Sequence, residues 1–220
     1  MKKRKRDAQR TQEKLLETAE RVFVEKGFDG ARVDEIANQA AINKRMIYVF
    51  YGSKENLYIE VLRTSFRKLF QSNLPKPDPT GNPLADTEAI MRWYFWFLSD
   101  NPNYVRLLGW ETLNDGNRAG KVLFELMEEG LGPLQSIVRL AREQGYIRSD
   151  MAAHKIVTVL NEVCLGFFAR RNLLEILWGQ DLSAKSNQED MLNLIIKIVL
   201  EGIRARDERG CVVPFVAENN

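Results

Sequence analysis

Apolar positions recur at helical spacing along nearly the whole chain, with no stretch alternating as a half-buried strand would. Over 31–40, Val33, Ile36, Ala37 and Ala40 fall at i, i+3, i+4 and i+7, the stripe of a short amphipathic helix. Ile42 and Ile47, with Phe50 or Tyr51, make a second apolar set that can pack on the first. That leaves Asn43, Lys44, Arg45, Met46, Tyr48 and Val49 largely outside the shared core. Asn43 suits an N-cap, because its side-chain oxygen can accept a hydrogen bond from a free N–H of the first turn. Two helices joined by so short a turn predict a helix-turn-helix, whose second helix fits the major groove of B-DNA.

On either side the same period continues. Leu15, Ala19, Val22 and Phe23 stripe a first helix over 7–26, with Gly27 as its expected stop. Ser53 can cap a fourth helix, with Glu55 near its positive end; Leu57, Tyr58, Val61, Leu62, Phe66, Leu69 and Phe70 carry it to about Ser72, joining head to body. The run from Pro75 to Pro83 cannot sustain a helix and reads as a linker. Residues 85–99 resume helix and are apolar nearly all round from Ile90 to Leu98, which predicts burial on several sides or the lining of a cavity. Pro102 opens a helix that Asn114 to Asn117 breaks, and 121–144 is helical with an interruption near Gly130 to Pro133. Asp150 is expected to cap a helix over 151–178, roughly 42 Å long, striped by Ile156, Leu160, Val163, Cys164, Phe167, Leu174 and Leu177. Residues 189–206 form the last helix, with Met191, Leu194, Ile195, Ile198, Val199 and Ile203 along its seam. The predicted fold is all-α, with about nine helices.

Composition narrows the class. With 45% hydrophobic and 28% charged residues the chain is ordinary for a globular protein. No uninterrupted apolar run reaches the roughly 18 residues of a membrane span. Six basic groups in the first ten residues precede no apolar segment, so no secretory signal is expected. Cys164 and Cys211 lie far apart, without metal-ligand spacing, and suit a reduced cytosol. Residues 1–55 carry 13 Lys and Arg against 9 Asp and Glu, and the remainder carries 19 against 21. A basic head on a mildly acidic body is what attraction to DNA at one end requires. Lys2 to Arg6 read either as a solubilising tail or as an arm adding phosphate contacts.

The order of these features resembles the DNA-binding domain of the TetR family of bacterial regulators. Gly27-Phe28, Ile36-Ala37, Ala41-Ile42-Asn43, Ile47-Tyr48, Phe50-Tyr51, Ser53-Lys54-Glu55 and Leu57 carry the resemblance, over about residues 10–62. Three positions depart from it. Ala41 stands where the family usually has Gly, at a turn position favouring φ > 0, at a cost of about 1 kcal/mol. Ala31-Arg32 replaces a Thr-rich cap, and Met46 a small or hydroxyl residue. The resemblance implies a basic arm over 1–9, a three-helix DNA-binding domain over 10–55 with its motif at 31–50, a helical ligand-binding and dimerisation domain over 56–210, and a tail over 211–220.

Roles follow position by position. Lys44 and Arg45 open the recognition helix, where residues reach base edges, and Arg can bridge the O6 and N7 of guanine. Met46 and Val49 can meet a thymine methyl. Tyr48 and Lys54 match phosphate-holding positions of the family, and Arg32 can act likewise; such contacts position the protein while base contacts specify the sequence. Asn43 completes the DNA-binding set. The plainer alternatives are a packed aromatic with a wet hydroxyl for Tyr48 and a surface charge for Lys54. In the body, Trp93, Trp96, Tyr104, Trp110, Phe124 and Phe167 are implied to surround a pocket for a hydrophobic or aromatic effector, the alternative being plain core. Glu111, Glu125 and Arg170 can orient a polar group of such a ligand or remain solvated charges.

The long helices 151–178 and 189–206 suit a four-helix bundle made by two copies of the chain; the other reading is that they close the monomer's own core. His154 has no nucleophile near it in sequence, and no Gly-rich phosphate loop, Ser elbow or HExxH occurs. No catalytic residue, metal site or cofactor is expected. The expected function is a ligand-responsive transcriptional regulator, a cytoplasmic, nucleoid-associated repressor binding double-stranded operator DNA as a homodimer. The alternatives are a helical small-molecule-binding or interaction protein with incidental DNA contact, and an activator of the same architecture.

Overall fold

The computed structural model describes residues 2–70, 80–114, 120–207 and 210–212. Among these lie nine α-helices: α1 (Lys2–Gly30), α2 (Val33–Ala40), α3 (Lys44–Tyr51), α4 (Lys54–Phe70), α5 (Pro83–Asp100), α6 (Pro102–Leu113), α7 (Gly120–Glu143), α8 (Ala153–Trp178) and α9 (Lys185–Ile203). The extended pairing among the described residues consists of two isolated bridges, Ile147 with Arg204 and Arg206 with Val212. The all-α expectation is met. Of the expected linker, residues 75–79 lie outside the described residues, as do 115–119 of the break after α6 and 213–220 of the tail.

The chain forms two compact units, Met1–Gln71 with Asn101–Leu126, and Ser72–Asp100 with Met127–Asn220. The boundary expected at 55/56 falls inside the first. There α1 packs against α2, α4 and α6, and α4 packs against α3 and α6. Leu15, Ala19, Val22 and Phe23 of α1 meet Ile36, Ala37 and Ala40 of α2, Ile47 of α3, and Leu57, Tyr58, Val61 and Leu62 of α4 in one buried core. The Tyr58 ring stands edge-on to Phe23 at 4.9 Å, and its hydroxyl donates to Glu111 Oε1 at 2.7 Å. A carboxylate that sequence left free to orient a ligand is thus buried on α6 against α4.

The helical path of α1 breaks at Gly27, as expected. Gly27 adopts φ 67°, ψ −177°, a region open essentially to glycine alone, and a short further turn carries the element on to Gly30. A Cβ at Gly27 would stand only 2.9 Å from the Trp110 ring, whose Nε1 donates to the Val24 carbonyl at 3.2 Å. The missing side chain therefore serves the backbone turn and the close approach of α6 together. At its other end α1 begins at Lys2, so the basic run belongs to the helix rather than preceding it.

In the second unit α5 packs against α8 and α9. Phe95, fully buried, meets Phe167 at 5.7 Å and Phe168 at 4.7 Å. The Tyr94 hydroxyl donates to Asn161 Oδ1 at 2.7 Å, which satisfies two polar groups inside the core. Arg92 bonds Glu88, Glu189 and Asn193, tying α5 to α9. Asp150 is not the cap of α8. It pairs instead with Arg148 at 2.6 Å, and α8 begins after Ala152 with no side-chain cap. α7 runs unbroken through Gly130 to Pro133, and α9 starts at Lys185, before the expected 189. Helix propensity is a weak prior that tertiary context overrides, as these bounds illustrate.

Candidate nucleic-acid interface

The turn between α2 and α3 is built on Ala41, in the left-handed region at φ 54°, ψ 45°. Its N–H donates to the Asn38 carbonyl at 3.1 Å, and that of Ile42 to the Ala37 carbonyl at 3.0 Å. Those two bonds are the Schellman closure of a helix end, normally made by glycine. Two residues later the chain is extended at Asn43, whose side chain accepts from the Arg45 N–H at 2.8 Å and starts α3. The N-cap expectation is met.

α3 is pinned by Ile47, fully buried, while Ile42, Phe50 and Tyr51 pack partly against the same core. Its opposite face carries Lys44, Arg45, Tyr48 and Val49, all exposed, with Met46 half-buried. Val49 is 64% exposed. An aliphatic side chain so open, between cations and a phenol, suits contact with a surface that is itself part apolar. Arg32 occupies the N-cap position of α2 with extended backbone and makes no capping bond. Lys54 opens α4 with its ammonium 4.4 Å from the centre of the Phe28 ring, a cation–π contact. Ser53 caps that helix, accepting from the Asn56 N–H at 3.0 Å.

Two acidic residues missed by the sequence reading stand beside these cations. Asp34 and Glu35 occupy the first turn of α2, where the helix dipole favours them. Lys44 Nζ lies 2.8 Å from Asp34, and Lys26 pairs with Glu35. The hydrogen bond to Asp34 holds the Lys44 pKa above the ordinary lysine value, and that to Glu35 does the same for Lys26. No spacing rule links residues on different helices, so only the acidic first turn hinted at the pairing.

The six aromatics expected around an effector pocket divide between the units. Tyr104 is buried edge-on to Phe66, Trp110 lies on Gly27, and Phe124 is 68% exposed, all in the first unit. Trp93 stacks on Phe97, Trp96 lies under Lys185, and Phe167 packs on Phe95, all in the second. Glu125 and Arg170 are exposed. Among the described residues no cluster of three or more His, Cys, Asp or Glu is placed to hold a metal ion, and no helix is long and apolar enough to cross a membrane.

Residues 15–61 match the family model described as "Bacterial regulatory proteins, tetR family", and residues 83–199 match "Tetracyclin repressor-like, C-terminal domain". The chain belongs to the TetR family. It is similar to the HTH-type transcriptional repressor NicS of Pseudomonas putida, with 31% identity over 207 residues, covering 91% of this chain and 96% of that one. To the HTH-type transcriptional regulator RutR of Escherichia coli K12 it is 28% identical over 212 residues, covering 93% and 95%. A TetR-family regulator from Shewanella sp. PV-4 shares its fold, with a TM-score of 0.71 at 16% identity over 89% of this chain and 99% of that one. As a TetR-family protein the chain is a ligand-responsive, DNA-binding transcriptional regulator. Its relatives are named as regulators rather than enzymes.

Proposed function

We propose that this TetR-family protein is a homodimeric repressor whose two α3 helices read a pseudo-palindromic double-stranded operator in the bacterial cytoplasm, on the nucleoid. The observation that carries the reading is the outer face of α3, with Lys44, Arg45, Tyr48 and Val49 exposed on a helix anchored by Ile47. Arg45 bridges a guanine edge, Met46 and Val49 meet thymine methyls, and Lys54, Tyr48 and Arg32 hold phosphates, with Asn43 fixing where the helix begins. Two-fold symmetry places the two α3 helices about 34–36 Å apart or somewhat more on the duplex.

The partner copy docks on α8 and α9. Val159, Val163, Leu173, Ile176, Leu177 and Trp178 of α8, with Leu194 and Ile198 of α9, stay exposed. Apolar side chains so numerous on two neighbouring helices mark an association surface. The effector is a small aromatic or largely apolar molecule taken up in the second unit, where Trp93, Trp96 and Phe167 supply aromatic surface and Tyr94 with Asn161 a polar pair. It releases DNA by binding preferentially to the state with lower operator affinity.

The test is selection from a random duplex pool, followed by titration of wild type, Arg45→Ala and Tyr48→Ala. Enrichment of one palindrome is expected, with each variant losing about 1–3 kcal/mol of binding and Arg45→Ala alone changing the preferred base. Equal affinity for every duplex, lost with modest salt, would overturn the reading. In a reporter carrying the selected site the protein should lower transcription; a rise would make it an activator.

A further inference from the structure

The cation at the start of the recognition helix is already engaged. Lys44 Nζ reaches back across the turn to Asp34 Oδ1, 2.8 Å away, instead of lying along α3 with Arg45 and Tyr48. Both partners are open to water, at 46% and 68% side-chain exposure, so the pair is of the weak, exchangeable kind. Asp34 also sits in the first turn of α2, at the positive end of that helix, a second interaction that does not involve the lysine. Its neighbour Glu35 is held separately, by Lys26 of α1 and by Gln39 Nε2 at 3.2 Å. The carboxylate facing Lys44 is therefore Asp34, and the lysine can leave it without unfolding anything.

Resting on the reading of α3 as the DNA-reading helix, we propose that Asp34 is a built-in competitor for Lys44, holding that lysine away from the DNA backbone and so setting operator affinity and its salt dependence below what the cations of the head would otherwise give. A phosphate oxygen and a carboxylate oxygen offer the ammonium the same kind of partner, so the DNA must displace Asp34 to gain Lys44. Freed from Asp34, Lys44 meets a phosphate rather than the base edge expected from its place at the start of α3. Such a contact carries no base information, so the competition tunes strength for every duplex alike and leaves the preferred sequence to Arg45. Because each phosphate newly neutralised releases counterions, removal of the competitor also steepens the dependence on salt.

Mere repulsion between Asp34 and the phosphates would also oppose binding, and a double-mutant cycle separates the two. Wild type, Asp34→Asn, Lys44→Gln and the double variant are titrated by fluorescence anisotropy against the palindromic duplex enriched by selection and against a random-sequence duplex of equal length. Salt is varied from about 50 to 200 mM, the range over which counterion release is readily read. Asp34→Asn should tighten binding to both duplexes by about two- to fivefold per head, the worth of an exposed ion pair. The logarithmic salt slope should steepen by about 0.9 per head. On the Lys44→Gln background both changes should vanish, and Asp34→Glu should bind as wild type does. An equal gain with and without Lys44 would overturn the proposal in favour of repulsion. No gain, or weaker binding by an Asp34→Asn protein that melts at the wild-type temperature, would overturn it outright. Failure of the wild type to enrich any duplex is a different result, and sinks the DNA-reading assignment itself.

Discussion

Two of the surfaces that leave apolar side chains in water, one on α3 and one on α8, do so differently. On α3 the exposed Val49 and Tyr48 are interleaved with Lys44 and Arg45, on a helix only eight residues long. On α8 the exposed set runs from Val159 to Trp178 over most of 26 residues, is largely aliphatic, and reaches 79% exposure at Ile176. The first face suits a partner that is itself charged and hydrated, with small apolar spots among phosphates and base edges. The second suits a partner that removes water altogether, as another copy of the same face does. Burial of side chains therefore means little on one surface and nearly everything on the other.

The largest effect that would break this contrast is a charge placed on the α8 face. Ile176→Asp combined with Leu177→Asp should raise the dimer dissociation constant by roughly a thousandfold or more, since carboxylates would be desolvated in an apolar interface. Sedimentation should then show a folded monomer; a persisting dimer would show that α8 is not the interface. Val49→Asp, the same kind of change on α3, should leave oligomeric state untouched and stability within about 0.5 kcal/mol, while weakening DNA binding.

Closure of the first unit beneath its outer face can be probed next. Gly27→Ala places a Cβ 2.9 Å from the Trp110 ring at a backbone angle of φ +67°. Thermal or denaturant unfolding should show a loss of about 2–4 kcal/mol, combining backbone strain with overpacking. A neutral result would mean that α6 yields freely at this contact.

Smaller effects sharpen the placement of α3. Asn43→Ala removes the acceptor of the Arg45 N–H and should cost about 1 kcal/mol in unfolding experiments, with weaker DNA binding as the first turn frays. Ala41→Gly should go the other way. It relieves left-handed strain on a residue bearing a Cβ, offset by the greater freedom of glycine in the unfolded chain, for a net gain of about 0.5 kcal/mol. Loss of stability on Ala41→Gly would show that the Ala41 methyl is needed for packing.

The helix-turn-helix was legible because everything it needs is local. The Ile36, Ala37 and Ala40 stripe, the strained turn at Ala41, the Asn43 cap and the Ile47 anchor all lie within twelve residues, and each is found as expected. The roles of the C-terminal helices were half legible. Of the stripe read on α8, Ile156, Leu160, Cys164 and Phe167 are buried while Val163 and Leu177 are exposed. Of that on α9, Ile195, Val199 and Ile203 are buried while Leu194 and Ile198 are not. Periodicity shows that an apolar face exists but not how much of it the chain covers for itself.

Sequence by itself determined the order of the helices, the position of α3 and which of its residues face outward, since these follow from period and capping within a few residues. Only the tertiary structure decided that α6 closes on α1 and α4, that Glu111 takes the Tyr58 hydroxyl, and that the break at Gly27 lies under the Trp110 ring. It alone paired Lys44 with Asp34. Those contacts join groups on separate helices, some of them more than fifty residues apart in the chain. No local pattern can encode them, because each depends on where packing of the whole core brings two helices together.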